Sequence, residues 1–139
     1  MKETLKDDWP EPVKAWLERT IYDFETARAM HKTGRYLYVV FMCQQAIEKA
    51  FKAMLTLQNK EVKPIHNLSR LALLTDVLHD IDEESRVFID SLSAYYLNAR
   101  YKETISALSK TIGRKESRTY LRKSKELISW LIQKMRLSL

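Results

Sequence analysis

FMCQQAIEKAFKAML, residues 41–55, decides how the chain folds. At helical spacing, Val40, Cys43, Ile47, Ala50 and Met54 fall on one stripe, widened by Ala46, Phe51 and Ala53. Gln45, Lys49 and Lys52 line up on the other side at spacings of four and three. Glu48 precedes Lys52 by four residues, the favourable order for a helical ion pair worth roughly 0.2–0.5 kcal/mol. Gln44 falls between the two faces, in line with Glu48. The pattern predicts a helix packed on one side, with an ordered polar edge on the other. Whether that edge has a chemical role or only faces water is the question it poses, and the pattern alone favours structure.

Similar periodicity extends in both directions. Pro10 and Pro12 suit a helix's first turn, where a missing N–H is harmless. Val13, Leu17, Ile21, Phe24 and then Ala27 or Arg28 predict a helix over about Glu11 to Lys32. Gly34 ends it by taking the left-handed conformation, and a second helix runs from about Tyr36 to Gln58. Asn59 to Ile65, with Pro64, reads as a loop. Asn67 is the expected N-cap of a third helix that uses Leu68, Leu71, Leu74 and Leu78. Asp80-Ile81-Asp82 makes a turn into a fourth helix carrying Val87, Ile89, Leu92, Tyr95 and Tyr96. Residues 99–113 are ambiguous, and a last helix covers about Lys115 to Arg136. The expectation is an all-α protein: one domain over residues 1–139, core about 10–136, built as an antiparallel up-and-down bundle of four to five helices. The last helix is apolar over a broad arc of Leu127, Ile128, Trp130, Leu131, Ile132 and Met135, more than one stripe needs. That surplus predicts self-association.

Composition agrees with this class. Two glycines and three prolines among 139 residues leave few places to break a helix. No apolar run reaches the roughly 18 residues of a membrane span, and MKETLKDDWPEP lacks a signal peptide's apolar core, so a cytoplasmic location is expected and no membrane partner. The lone cysteine, Cys43, reads as a buried small hydrophobe. No His/Cys/Asp/Glu cluster has metal-ligand spacing, so neither a metal nor another cofactor is expected. The net charge of +6 is uneven. Residues 110–136 hold nine Lys or Arg against two acids, leaving fifteen basic and sixteen acidic residues elsewhere. Arg114, Lys115, Arg118, Arg122, Lys123 and Lys125 form the core of this basic surface, which suits phosphates or simply water.

Particular words add to the pattern. QQAIEKAFKAML resembles the signature helix of the HEPN domain, the higher-eukaryote and prokaryote nucleotide-binding family. In the family's order come W-x6-D-x3-A at Trp16, Asp23 and Ala27, and P-x-H-N-L-x-x-L at Pro64, His66, Asn67, Leu68 and Leu71. L-x-x-Y-Y-x-x-A-R-Y follows at Leu92, Tyr95, Tyr96, Ala99, Arg100 and Tyr101. The resemblance spans roughly residues 10 to 136. It implies a small helical bundle, commonly dimeric, often encoded beside a minimal nucleotidyltransferase in modules that behave as toxin–antitoxin pairs.

Many proteins of that family are metal-independent ribonucleases with an Arg and a His separated by four to six intervening residues. Histidine shuttles the 2′-hydroxyl proton while Arg stabilises the charged transition state. Here that spacing fails. The positions upstream of His31, His66 and His79 hold Phe24, Glu25, Thr26, Asn59, Lys60, Glu61, Ala72, Leu73 and Leu74. Downstream of Arg100 stand Ile105, Ser106 and Ala107, so no catalytic residue is assigned and the chain leans away from an enzyme. The resemblance places ligand contacts at Arg100, Tyr101, Tyr96, Lys49, Glu48 and His66. All but Tyr101 have a structural alternative: a salt bridge from Arg100 to Asp23 or Glu48, core packing for Tyr96 and the tryptophans, capping or stabilisation of the third helix by His66, and an inter-helix network of Glu48 and Lys49 with Asp23. The expected function is a non-catalytic, homodimeric subunit that binds nucleotide or RNA and acts with a nucleotidyltransferase. An RNase toxin with a non-standard site and a purely structural interaction module are the alternatives.

Overall fold

The computed structural model describes residues 5–101 and 110–137, with side chains described for 5–97 and 110–137. The helices are α1 (Glu11–Lys32), α2 (Tyr36–Leu57), α3 (Leu68–Leu74), α4 (Glu83–Tyr101) and α5 (Arg114–Leu137), with a 3₁₀ turn at Leu78–Asp80. No described residue is in a strand. Helix α2 lies at the centre, against α1, α3, α4 and α5. This is an all-α helical bundle.

The turns follow from their residues. Pro12 sits in the first turn of α1 beside Glu11, an acid at the positive end of the helix dipole. At the other end, Gly34 has φ +78°, and the Arg35 amide donates 2.8 Å back to the Met30 carbonyl. That reversal sends the chain straight into α2. Asn67 caps α3, its side-chain oxygen accepting from the Arg70 amide at 2.9 Å. Asp82 does the same before α4, accepting from the Ser85 amide at 2.7 Å.

Burial accounts for the central position of α2. Val40, Cys43, Ala46, Ile47, Ala50, Phe51 and Ala53 are fully enclosed. Each large side chain among them contributes about 1.5–3 kcal/mol by leaving water. Of the expected polar edge, Gln45 and Lys49 are half-buried and Lys52 is buried, as are Gln44 and Glu48 beside it. Neighbours cover all of α2 except the side of Tyr38, Met42, Gln45 and Lys49, so its buried polar residues must find partners inside the protein.

Two more expectations change. The third helix stops at Leu74 rather than reaching Leu78, because Asp76 takes φ +62° and turns the chain. Leu74 is exposed, and Val77 takes the buried place beyond the turn. The apolar arc of α5 is used inside the chain: Leu127, Ile128, Leu131, Ile132 and Met135 are buried, and Trp130 packs against the core. That arc therefore gives no support to self-association. Trp9 is buried, and Trp16 packs at the core's edge.

Candidate functional site

The polar residues of α2 form two connected groups rather than one network. Lys49 pairs with Asp23 of α1 on one side. On the other, Glu48 receives a 2.9 Å hydrogen bond from Lys52 and a 3.0 Å one from His66 Nδ1. Gln44 Nε2 donates to the His66 carbonyl at 2.8 Å, so α2 grips both the ring and the backbone of this loop residue. The His66 ring is 5.7 Å from that of Tyr96 on α4, whose hydroxyl accepts from Gln45 at 3.4 Å. Glu48, His66 and Tyr96 thus come together, whereas Lys49 faces α1. Arg100 and Tyr101 continue α4 within a turn or so of Tyr96, but their side chains lie outside the described residues.

Chemically, the group around Glu48 is mostly a brace. Glu48 is 4% exposed and Lys52 9%, while the His66 side chain is 43% exposed. With Nδ1–H engaged by a carboxylate, the neutral imidazole presents Nε2 as a base. His66 does not cap α3, since Asn67 has that role; it pins the preceding loop to α2.

The basic residues of α5 divide by partner. Arg122 pairs with Glu126 at 3.4 Å, and Lys123 with Glu84 of α4 at 3.2 Å. Lys123 also lies 5.8 Å from the Phe88 ring centre, across a groove of about 660 Å³ that Val87, Phe88 and Tyr120 line between α4 and α5. Arg114, Lys115, Arg118 and Lys125 are exposed and make no ion pair with another described residue.

What the spacing of residues did not reveal is the company that Arg114 and Arg118 keep. Ser117, fully buried between them, shares a 2.8 Å hydrogen bond with His31 Nδ1 at the end of α1. This contact joins residues 86 apart and sets the α1–α2 turn, with exposed Lys32 and Arg35, beside the first turns of α5. The His31 imidazole is held below its ordinary pKa, first by burial and then by the Arg118 and Arg114 charges. The sequence carried one signal of this: residues 26–47 contain no acid at all.

Cys43 is enclosed in the core, and burial pushes its thiol up to about 12. Among the described residues no His/Cys/Asp/Glu group is arranged to hold a metal ion, and no helix is long and apolar enough to cross a membrane.

Comparison with protein families matches the HEPN domain over residues 13–135, nearly the whole chain. The chain belongs to the HEPN domain family. Among solved structures, the HEPN fold seen here is similar to ST0689, an archaeal HEPN homologue, with a TM-score of 0.72 and 23% identity over 88% of this chain and 97% of that one. It is also similar to TT1696 from Thermus thermophilus, with a TM-score of 0.73 and 20% identity over 91% and 99%. At such identities the likeness speaks for the fold alone. A search of curated proteins finds no match.

Proposed function

We propose that this HEPN protein is a non-catalytic subunit that binds RNA or a nucleotide. It works as a homodimer with a nucleotidyltransferase partner, in a toxin–antitoxin-like module. The dimer and the partner come from the HEPN resemblance. The binding reading rests on one observation of this chain: Arg114, Lys115, Arg118 and Lys125 project from α5 without ion-pair partners among the described residues. Cations left unpaired while Lys49, Lys52, Lys60 and Lys123 are matched to carboxylates are available to phosphates. Arg100 is the second proposed contact, on the strength of its motif position.

The test is fluorescence anisotropy with a single-stranded RNA and with ATP, across about 50–200 mM salt. RNA affinity that falls steeply with salt supports binding through phosphates. Absence of binding to either ligand at the low end would leave the interaction-module reading in its place.

A second reading, metal-independent RNA cleavage, is favoured by the exposed His66 ring held on Glu48. Cleavage in EDTA by the wild type that is lost in both His66→Asn and Arg100→Ala would establish it. Uncut RNA in all three samples would remove it.

A further inference from the structure

The basic surface read from α5 alone is half of a larger one. Lys32 and Arg35 belong to a different helix end and its turn, yet the His31–Ser117 hydrogen bond brings the end of α1 to the first turns of α5, where the Arg114 and Arg118 charges reach the His31 ring. Lys32, Arg35, Arg114 and Arg118 are all exposed, and none forms an ion pair with a described residue. The acids nearest in sequence are Glu25, which pairs with Arg28, and Glu116 on α5.

We propose that this end of the bundle, made by the α1–α2 turn and the first turns of α5, is a composite site for the phosphodiester backbone of single-stranded RNA. The proposal rests on the binding reading above and assigns the α1–α2 turn to it. Number and spread of charge select the ligand. Four cations on two separate segments match successive phosphates along a chain, whereas a mononucleotide presents its phosphates at one point. The turn is suited to such a task because its conformation is fixed from both sides. Gly34 closes α1 with a left-handed residue, and the hydrogen bond from His31 fastens the helix end to a buried serine. Lys32 and Arg35 therefore leave a rigid base, with less ordering required on binding than a free loop would need. His31 itself, pressed between Tyr36 of α2 and the α5 arginines, holds the two halves together rather than adding a full charge near neutral pH.

The experiment measures anisotropy of a labelled single-stranded RNA of about 16 nucleotides with the full chain and three double variants. Lys32→Ala/Arg35→Ala removes the turn's charges, and Arg114→Ala/Arg118→Ala those of α5. Lys14→Ala/Lys60→Ala removes the same net charge elsewhere. The turn variant should bind about tenfold more weakly. Its log affinity against log salt should be shallower by about 1.4, from two lost phosphate contacts at about 0.7 each. The control should stay within about twofold of wild type. A turn variant that binds like the control, while the α5 variant weakens, overturns the composite site and leaves the binding reading standing. No RNA binding by the wild-type chain overturns both. Should the alanine pair disturb the turn, seen as a lowered thermal midpoint, Lys32→Gln/Arg35→Gln takes its place.

Discussion

Replacing Glu48 by glutamine should separate a brace from a reactive group. The Glu48 carboxylate is 4% exposed and bonds Lys52, itself 9% exposed, at 2.9 Å. Glutamine keeps the size and one acceptor oxygen, which can still serve His66 Nδ1, but it removes the charge and replaces the oxygen that accepts from Lys52 with an amide that cannot. It leaves the Lys52 ammonium inside the bundle without its counter-charge. Breaking a buried pair from one side typically costs about 3–5 kcal/mol. Lys52 has partial compensation, because its nitrogen lies 6.0 Å from the Trp16 ring centre. The lower end, about 3 kcal/mol, is therefore expected. At about 4 °C for each kcal/mol in a domain of this size, the thermal midpoint should fall by about 12 °C.

The matching double variant, Glu48→Met/Lys52→Met, removes both charges and fills their volume with apolar atoms. Such replacements are often neutral or stabilising, so its stability should return to within about 1 kcal/mol of wild type. Urea unfolding followed by circular dichroism measures both. A loss below about 1 kcal/mol for Glu48→Gln would mean that water reaches Lys52. A double variant as weak as the single would show that the carboxylate's hydrogen bonds, rather than its charge, matter. Either result refutes the reasoning.

His31 should titrate below its unfolded value of about 6.5. The unfolded chain then takes up the proton first, so this residue's contribution to stability is complete above about 6.5 and is lost as pH falls through the folded value. Burial together with Arg118 and Arg114 on α5 sets that shift, and Tyr36 faces the ring from α2; an NMR titration should show the value moving up in Arg118→Ala. Cys43, enclosed and held up at about 12, should resist thiol reagents at neutral pH in the folded protein and react fully in urea. Rapid native labelling would show that the core opens. Gly34→Ala, at φ +78°, and Asn67→Ala, which loses a cap, should each destabilise by about 1 kcal/mol in thermal melts.

The helices were legible because their signals are local. Pro12 and Gly34 bracket α1, Asn67 caps α3, and the stripe from Val40 to Met54 is the buried face of α2. Leu78 was misplaced because apolar spacing continued past Asp76, and nothing in that spacing shows a residue entering the left-handed region. The polar edge of α2 was misread for a different reason. Periodicity reports which residues share a face, but it does not report how many neighbours surround the helix. Lys52 falls on the polar edge by spacing, yet it is buried with Glu48 and Gln44, which hold the His66 loop against α2.

The same limit governs the site. Charge runs are visible along a sequence, so the α5 half of the basic end was found, and the α1–α2 half was not. A contact between His31 and Ser117, 86 residues apart, joins them. Pairing then separates two kinds of charge that composition treats alike. Lys49 and Lys52 are matched to the little-exposed Asp23 and Glu48, and their removal should register as lost stability. Lys32, Arg35, Arg114 and Arg118 are exposed, with no matching carboxylate among the described residues, and their removal should leave stability nearly untouched. If those four matter to the protein, the reason lies in what they bind. A measured loss of RNA affinity without loss of stability is thus the signature that distinguishes this end of the bundle from the brace at its centre.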